Sequence, residues 1–203
     1  MPNRPAIDPV RPLHHRLLLL AGLGVWMALC YFPPQQWAAG SPWVVPRLPF
    51  EPDIPYHPLW VIVYQSIWPA HAAMLVAVPC ADTVRRYTRD TMATYGLAAP
   101  WFWLMPTTVG RPDDGDLLYR SLVLALDGTT NALPSLHAVM VTLVVLHLKS
   151  RIGRPLLALL TIWWTLVLGG TLATGQHRVL DLIAGIGLAI AVHYTRASPH
   201  PAR

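Results

Sequence analysis

Apolar residues occur in blocks along this chain, with the polar residues confined between them. Six blocks stand out: Leu17 to Phe32, Leu59 to Cys80, Met92 to Met105, Pro134 to Leu148, Pro155 to Leu172 and His177 to Tyr194. Most approach the ~20 residues a helix needs to cross the hydrocarbon core of a bilayer. The pattern predicts an all-α polytopic membrane protein, a bundle of six transmembrane helices. Between the first two blocks, Pro33, Pro34, Pro42, Pro46, Pro49, Pro52, Pro55 and Pro58 forbid a long helix. Trp37, Trp43, Phe50 and Tyr56 are interleaved with them, as expected of a connector at the membrane interface, where amphipathic rings settle. A short loop with Arg85, Arg86 and Arg89 precedes the third block, and Pro106 ends that block. A polar loop, 110–131, carries Arg111, Arg120, Asp113, Asp114, Asp116 and Asp127, and reads as a solvated loop.

Composition agrees with this reading. The chain is 54% hydrophobic and 12% charged, with a mean hydropathy of +0.40, whereas soluble domains carry about 25% charge. The net charge of +5 does not point to nucleic acid, because Lys and Arg sit in short clusters between apolar blocks. Six crossings place both termini on one side. Putting them in the cytoplasm, with the 81–91 and 149–154 loops, gathers Arg4, Arg11, Arg16, Arg85, Arg86, Arg89, Lys149, Arg151, Arg154, Arg196 and Arg203 there. Only Arg47, Arg111, Arg120 and Arg178 remain outside. The expected organisation is a basic cytoplasmic segment (1–16), a six-helix membrane domain (17–195) and a cytoplasmic tail (196–203). The first block is read as a retained span and not a cleaved signal, since its removal would spoil the charge pattern. Cys30 and Cys80 read as small buried hydrophobes, and His71 as a hydrogen-bonded structural histidine.

This topology brings three polar stretches to the outer face: 106–112, 131–137 and 174–181. In the last, His177 and Asp181 are four residues apart, one above the other if both lie on a helix. A carboxylate on one imidazole nitrogen fixes the tautomer that frees the other to attack. In the second, Pro134 suits a first helical turn, and the free amides after it, with the Ser135 hydroxyl, form an anion cradle at a positive helix end. His137, one turn in, is placed to give a proton to a leaving oxygen. Arg111, between Gly110 and Pro112, offers a guanidinium that holds two phosphate oxygens at once.

Asn131-Ala132-Leu133-Pro134-Ser135-Leu136-His137 and the His177 segment together resemble the type 2 phosphatidic acid phosphatase superfamily. The first is similar to the version in its inositol phosphorylceramide synthase-like (inositolphosphotransferase) branch, where a bulky residue, here Leu136, stands between Ser and His in place of glycine. The resemblance implies His177 as a nucleophile forming a phosphohistidine, Asp181 as its partner and His137 as general acid. It implies Ser135, Leu136 and Arg111 as phosphate-binding positions, lipid phosphates or phospholipids as substrates, and no metal or other cofactor. Two cations of the usual motifs are missing: Leu104 stands where a Lys is usual, and Gly170 and Thr171 where Ser-Arg is usual. Arg178 is a candidate replacement, although on a helix it is turned about 100° from His177. Less positive charge suits a singly charged phosphodiester better than a dianionic monoester. The expected activity is a lipid-phosphate phosphatase on the non-cytoplasmic face, with head-group transfer onto a lipid hydroxyl as the alternative. Two further readings are a metal held by His137, His177 and Asp181, and a non-catalytic lipid-binding role.

Overall fold

The computed structural model describes residues 12–37, 40–110, 117–124, 127–128 and 130–196. The chain is helical almost throughout. Its helices are α1 (Leu13–Trp37), α2 (Leu59–Gln65), α3 (Ile67–Val76), α4 (Ala81–Leu104), α5 (Leu117–Tyr119), α6 (Leu136–Leu148), α7 (Arg154–Ala173) and α8 (Val179–Thr195). A π-helical turn, Arg120–Leu124, continues α5. Among the described residues, three stretches are long and apolar enough to cross a membrane: Leu13–Trp37, Leu59–Val76 (α2 and α3 together) and Arg154–Ala173. α6 and α8 are apolar but shorter.

α6 is the axis of the bundle. Its sequence is apolar on every side, which suits only a helix surrounded by others, and α3, α4, α7 and α8 all pack on it. α4 is different. Thr83, Val84, Tyr87, Asp90, Thr91, Thr94, Tyr95, Ala98 and Phe102 recur at helical spacing and are buried, while Arg85 points outward. The 81–91 stretch, expected as a loop, is therefore the first half of α4; its charged outer face hides a buried polar stripe from a search for apolar runs. The ring of Trp26 on α1 comes within 3.3 Å of where a Cβ on Gly96 would stand, and its Nε1 donates to the Met92 carbonyl at 3.0 Å. Arg16, expected only as a topology charge, is buried and donates to the carbonyls of Val76 and Val78, both at 2.8 Å. It thereby satisfies carbonyls that the end of α3 leaves without helical partners.

The proline-rich connector also departs from expectation. α1 runs through Pro33 and Pro34 to Trp37: the prolines forgo the amide bonds to the Leu29 and Cys30 carbonyls, and the helix ends within a turn of them. Beyond it, strand β1 (Trp43–Val44) pairs in parallel with β2 (Thr107–Thr108), Trp43 opposite Thr107. Thr107 Oγ1 accepts from Leu133 N at 2.9 Å, and Val45, Val109 and Ala132 close a small apolar cluster around the pair. These contacts fix the approach to α6. Cys30 is buried and Cys80 half-buried, both free, and His71 Nδ1 meets the Tyr87 hydroxyl at 2.7 Å.

Candidate active site

Two helix starts meet at one end of the bundle. α7 stops at Thr174, whose Oγ1 donates to the Gly170 carbonyl at 2.7 Å, and Gly175 follows with φ 68°, the left-handed conformation that ends many helices. The chain turns at once, with Gln176 and His177 amides both donating to the Thr171 carbonyl. α8 begins at Val179 with Arg178 as its N-cap. His177 therefore lies before the helix and not on it, so the stacked helical pair expected from the spacing does not form. The cap joins the two residues instead. Asp181, in the first turn, accepts from the Arg178 amide at 2.7 Å, and the same Oδ2 lies 3.4 Å from His177 Nδ1. Both side chains are buried, Asp181 completely.

α6 starts against this turn. The Ser135 amide donates to the Asp181 carbonyl at 3.0 Å, and the Ser135 hydroxyl caps the helix by accepting from Ala138 N at 3.2 Å. Ser135 is fully buried, so its oxygen serves the cap, leaving its O–H proton to donate elsewhere. The Leu136 side chain packs into the core, and what it offers an anion is its first-turn amide. His137 projects towards His177, with ring centroids 5.8 Å apart and planes tilted by 57°. Both rings line a cavity of about 130 Å³, whose other walls include Gly24, Ala28 and Tyr31 of α1 and Trp68 of α3.

Three residues here had no signal in the sequence. The Tyr64 ring of α2 stacks on His137 at 4.3 Å, its hydroxyl lies 3.3 Å from His137 Nδ1, and it donates to Asp127 Oδ2 at 2.6 Å. Glu51, from the proline-rich connector, is buried and accepts from Val179 N at 2.6 Å and Leu48 N at 3.0 Å. Its carboxylate and that of Asp181 thus occupy the positive start of α8, and the start of α6 carries no such carboxylate among the described residues.

Arg111 and the acids Asp113, Asp114 and Asp116 lie outside the described residues. Their approach does not: Arg178 is buried and its Nη2 donates to the carbonyl of Val109, two residues before Arg111. Arg178 is thus turned from the axis of α8 towards β2. Leu104 is 85% exposed at the end of α4 and carries no charge to the site. The Thr171 hydroxyl is spent within α7 on the Leu168 carbonyl at 2.7 Å. A Cβ on Gly170 would lie 3.4 Å from the backbone of Trp60 and Tyr64, which keeps α2 against α7.

Comparison with known families gives one match. The model of the PAP2 superfamily matches residues 55–195, well over half of the chain and including both histidine segments. No curated protein matches the chain.

Proposed function

The chain belongs to the PAP2 superfamily, membrane-type phosphatases and phosphotransferases of lipid phosphates, and on that premise we propose that it is a lipid-phosphate phosphatase working through a phosphohistidine on the non-cytoplasmic face. One observation carries the reading: His137 and His177 face one cavity, with the Asp181 carboxylate beside Nδ1 of His177. Once Asp181 closes the 3.4 Å gap and holds the proton on Nδ1, His177 presents Nε2 as nucleophile. Nε2 attacks phosphorus, the N–P bond forms as the P–O bond to the lipid breaks, and His137 gives its proton to the departing oxygen. Water then attacks the phosphohistidine, losing a proton to His137, and inorganic phosphate leaves. The first-turn amides of α6, the Ser135 hydroxyl and Arg111 stabilise the charge on the phosphoryl oxygens. No step calls for a metal. Apolar walls from α1 and α3 suit an acyl or isoprenoid chain.

The same site supports a second reading, transfer of a phospho-head-group to a lipid hydroxyl, as in the inositol phosphorylceramide synthase-like branch. The uncharged Leu104 and Thr171 favour it, because fewer cations balance a phosphodiester monoanion more readily than a dianion. This reading takes α1, α2 with α3, α4, α6, α7 and α8 as six crossings, a topology in which arginine-rich ends facing in leave the site outside the cytoplasm.

The deciding assay offers detergent-purified protein short-chain lipid phosphates and, separately, short-chain phospholipids that carry a head-group, with ceramide and diacylglycerol present, and reads products by mass spectrometry. Phosphate release that survives brief EDTA treatment and is lost in His177→Ala is the expected result. A new head-group on an added alcohol with little free phosphate would select transfer, and turnover unchanged in His177→Ala would remove the histidine mechanism altogether.

A further inference from the structure

At the opposite end of the bundle from His137 and His177 lies a second cluster of ligating groups. Asp90 comes from the first half of α4, and His147 and His193 from the last turns of α6 and α8. His147 is ten residues from His137 along one helix, about 15 Å away. Asp90 and His147 are buried, and the His193 side chain is 19% exposed. His147 Nε2 and His193 Nδ1 converge on the same carboxylate oxygen, Asp90 Oδ2, at 3.0 and 3.2 Å. All three ligating atoms lie within 4.8 Å of one another.

We propose that Asp90, His147 and His193 form a structural site for a divalent transition-metal ion, Zn²⁺ foremost, that ties α4, α6 and α8 together at their cytoplasmic ends. Two of the three separations fit: donors about 2.05 Å from a tetrahedral ion stand about 3.3 Å from one another, the two nitrogens lie within a few tenths of that from Asp90 Oδ2, and the imidazole nitrogens, within 4.8 Å of each other, close on an ion by side-chain rotation. The donor set fits too, since two imidazoles, which are borderline ligands, select such ions over Ca²⁺ or Mg²⁺, and the one carboxylate is common to both classes. Outer contacts orient the ligands. Arg89 holds the other oxygen of Asp90 through Nε at 3.2 Å and Nη2 at 3.1 Å, and the Tyr87 ring meets His147 edge-on at 5.6 Å. Because both histidines sit in last turns, the negative ends of two helix dipoles face a cation there. The partly open His193 side leaves the fourth position to water.

The site takes no part in phosphoryl transfer as proposed above, so its test does not depend on turnover. Full-length protein without a polyhistidine tag is equilibrated with Zn²⁺, freed of excess by gel filtration and analysed by plasma mass spectrometry. Wild type and His177→Ala are expected to retain about one ion per chain, whereas Asp90→Asn and His193→Ala fall to background. Zn²⁺ should raise the melting temperature of wild type and leave Asp90→Asn unmoved, and Co²⁺ should give wild type the visible absorption of a tetrahedral site. If Asp90→Asn fails to fold, His193→Ala, changed at the rim, decides. Wild type eluting without metal, equal metal in the His193→Ala chain, or loss confined to His177→Ala would each overturn the proposal, the last by moving the ion to the catalytic pair.

Discussion

Asp181 Oδ2 accepts from the Arg178 amide that opens α8 and lies 3.4 Å from His177 Nδ1, near the ring but outside hydrogen-bonding geometry. An amide in its place still accepts the cap bond but no longer holds a positive imidazole or enforces its tautomer. Asp181→Asn should therefore fold normally and lose turnover by on the order of 10²–10⁴-fold. Normal turnover in a folded Asp181→Asn protein would refute the role. Tyr64→Phe removes a single hydroxyl between His137 and Asp127. A hydrogen bond to a charged group is worth about 1.5–3 kcal/mol, so kcat should fall by on the order of 10–10²-fold with KM little changed. A KM effect alone would mean that Tyr64 binds lipid and does not position His137. The His177–Asp181 pairing was legible because their spacing keeps them within reach whether the chain is helical or capping. Tyr64, Asp127 and Glu51 were not, because each lies in a distant segment and only the packing of α2, the 127–128 turn and the connector brings it to the site.

Among the elements, the contact of α6 with α8 sets the distance between the two histidines. A Cβ on Gly185 would stand 2.3 Å from the Ser135 carbonyl oxygen and 3.0 Å from the Ala138 Cβ, so α8 can approach α6 this closely only with glycine there. Gly185→Ala should cost about 1–3 kcal/mol and lower activity further by displacing the 135–137 segment. Gly187→Ala, which meets nothing within 4 Å, should melt no lower than wild type. Equal melting temperatures and rates for the two variants would contradict the packing account. Runs of apolar residues mark a helix only where its buried face is apolar and its prolines lie outside it. The first half of α4 was missed because its buried stripe is polar, with Thr83, Asp90, Thr91 and Thr94 inside and arginines outside. The end of α1 was missed because Pro33 and Pro34 were read as breakers, although they stand near a terminus.

For the molecule as a whole, the account needs the loop after α1 and the loop after α6 on opposite sides of the membrane. With Cys30 and Cys80 replaced by alanine, Ser41→Cys in intact cells should react with an impermeant maleimide, and Ser150→Cys only after permeabilisation. The reverse pattern would place the site on the cytoplasmic face. The all-helical fold was legible at this scale because apolar blocks are a property of the chain. The shape of the site was not, since it depends on how the starts of α6 and α8 interlock through the Ser135 amide and the Asp181 carbonyl. The central claim is a covalent bond between phosphorus and one particular histidine. It is tested most directly by quenching the protein in base during turnover of a short-chain lipid phosphate and mapping phosphorylated peptides. The account predicts an acid-labile phosphoryl group on His177 that is absent from His177→Ala. Turnover with no phosphorylated histidine, or with the group on His137, would contradict it.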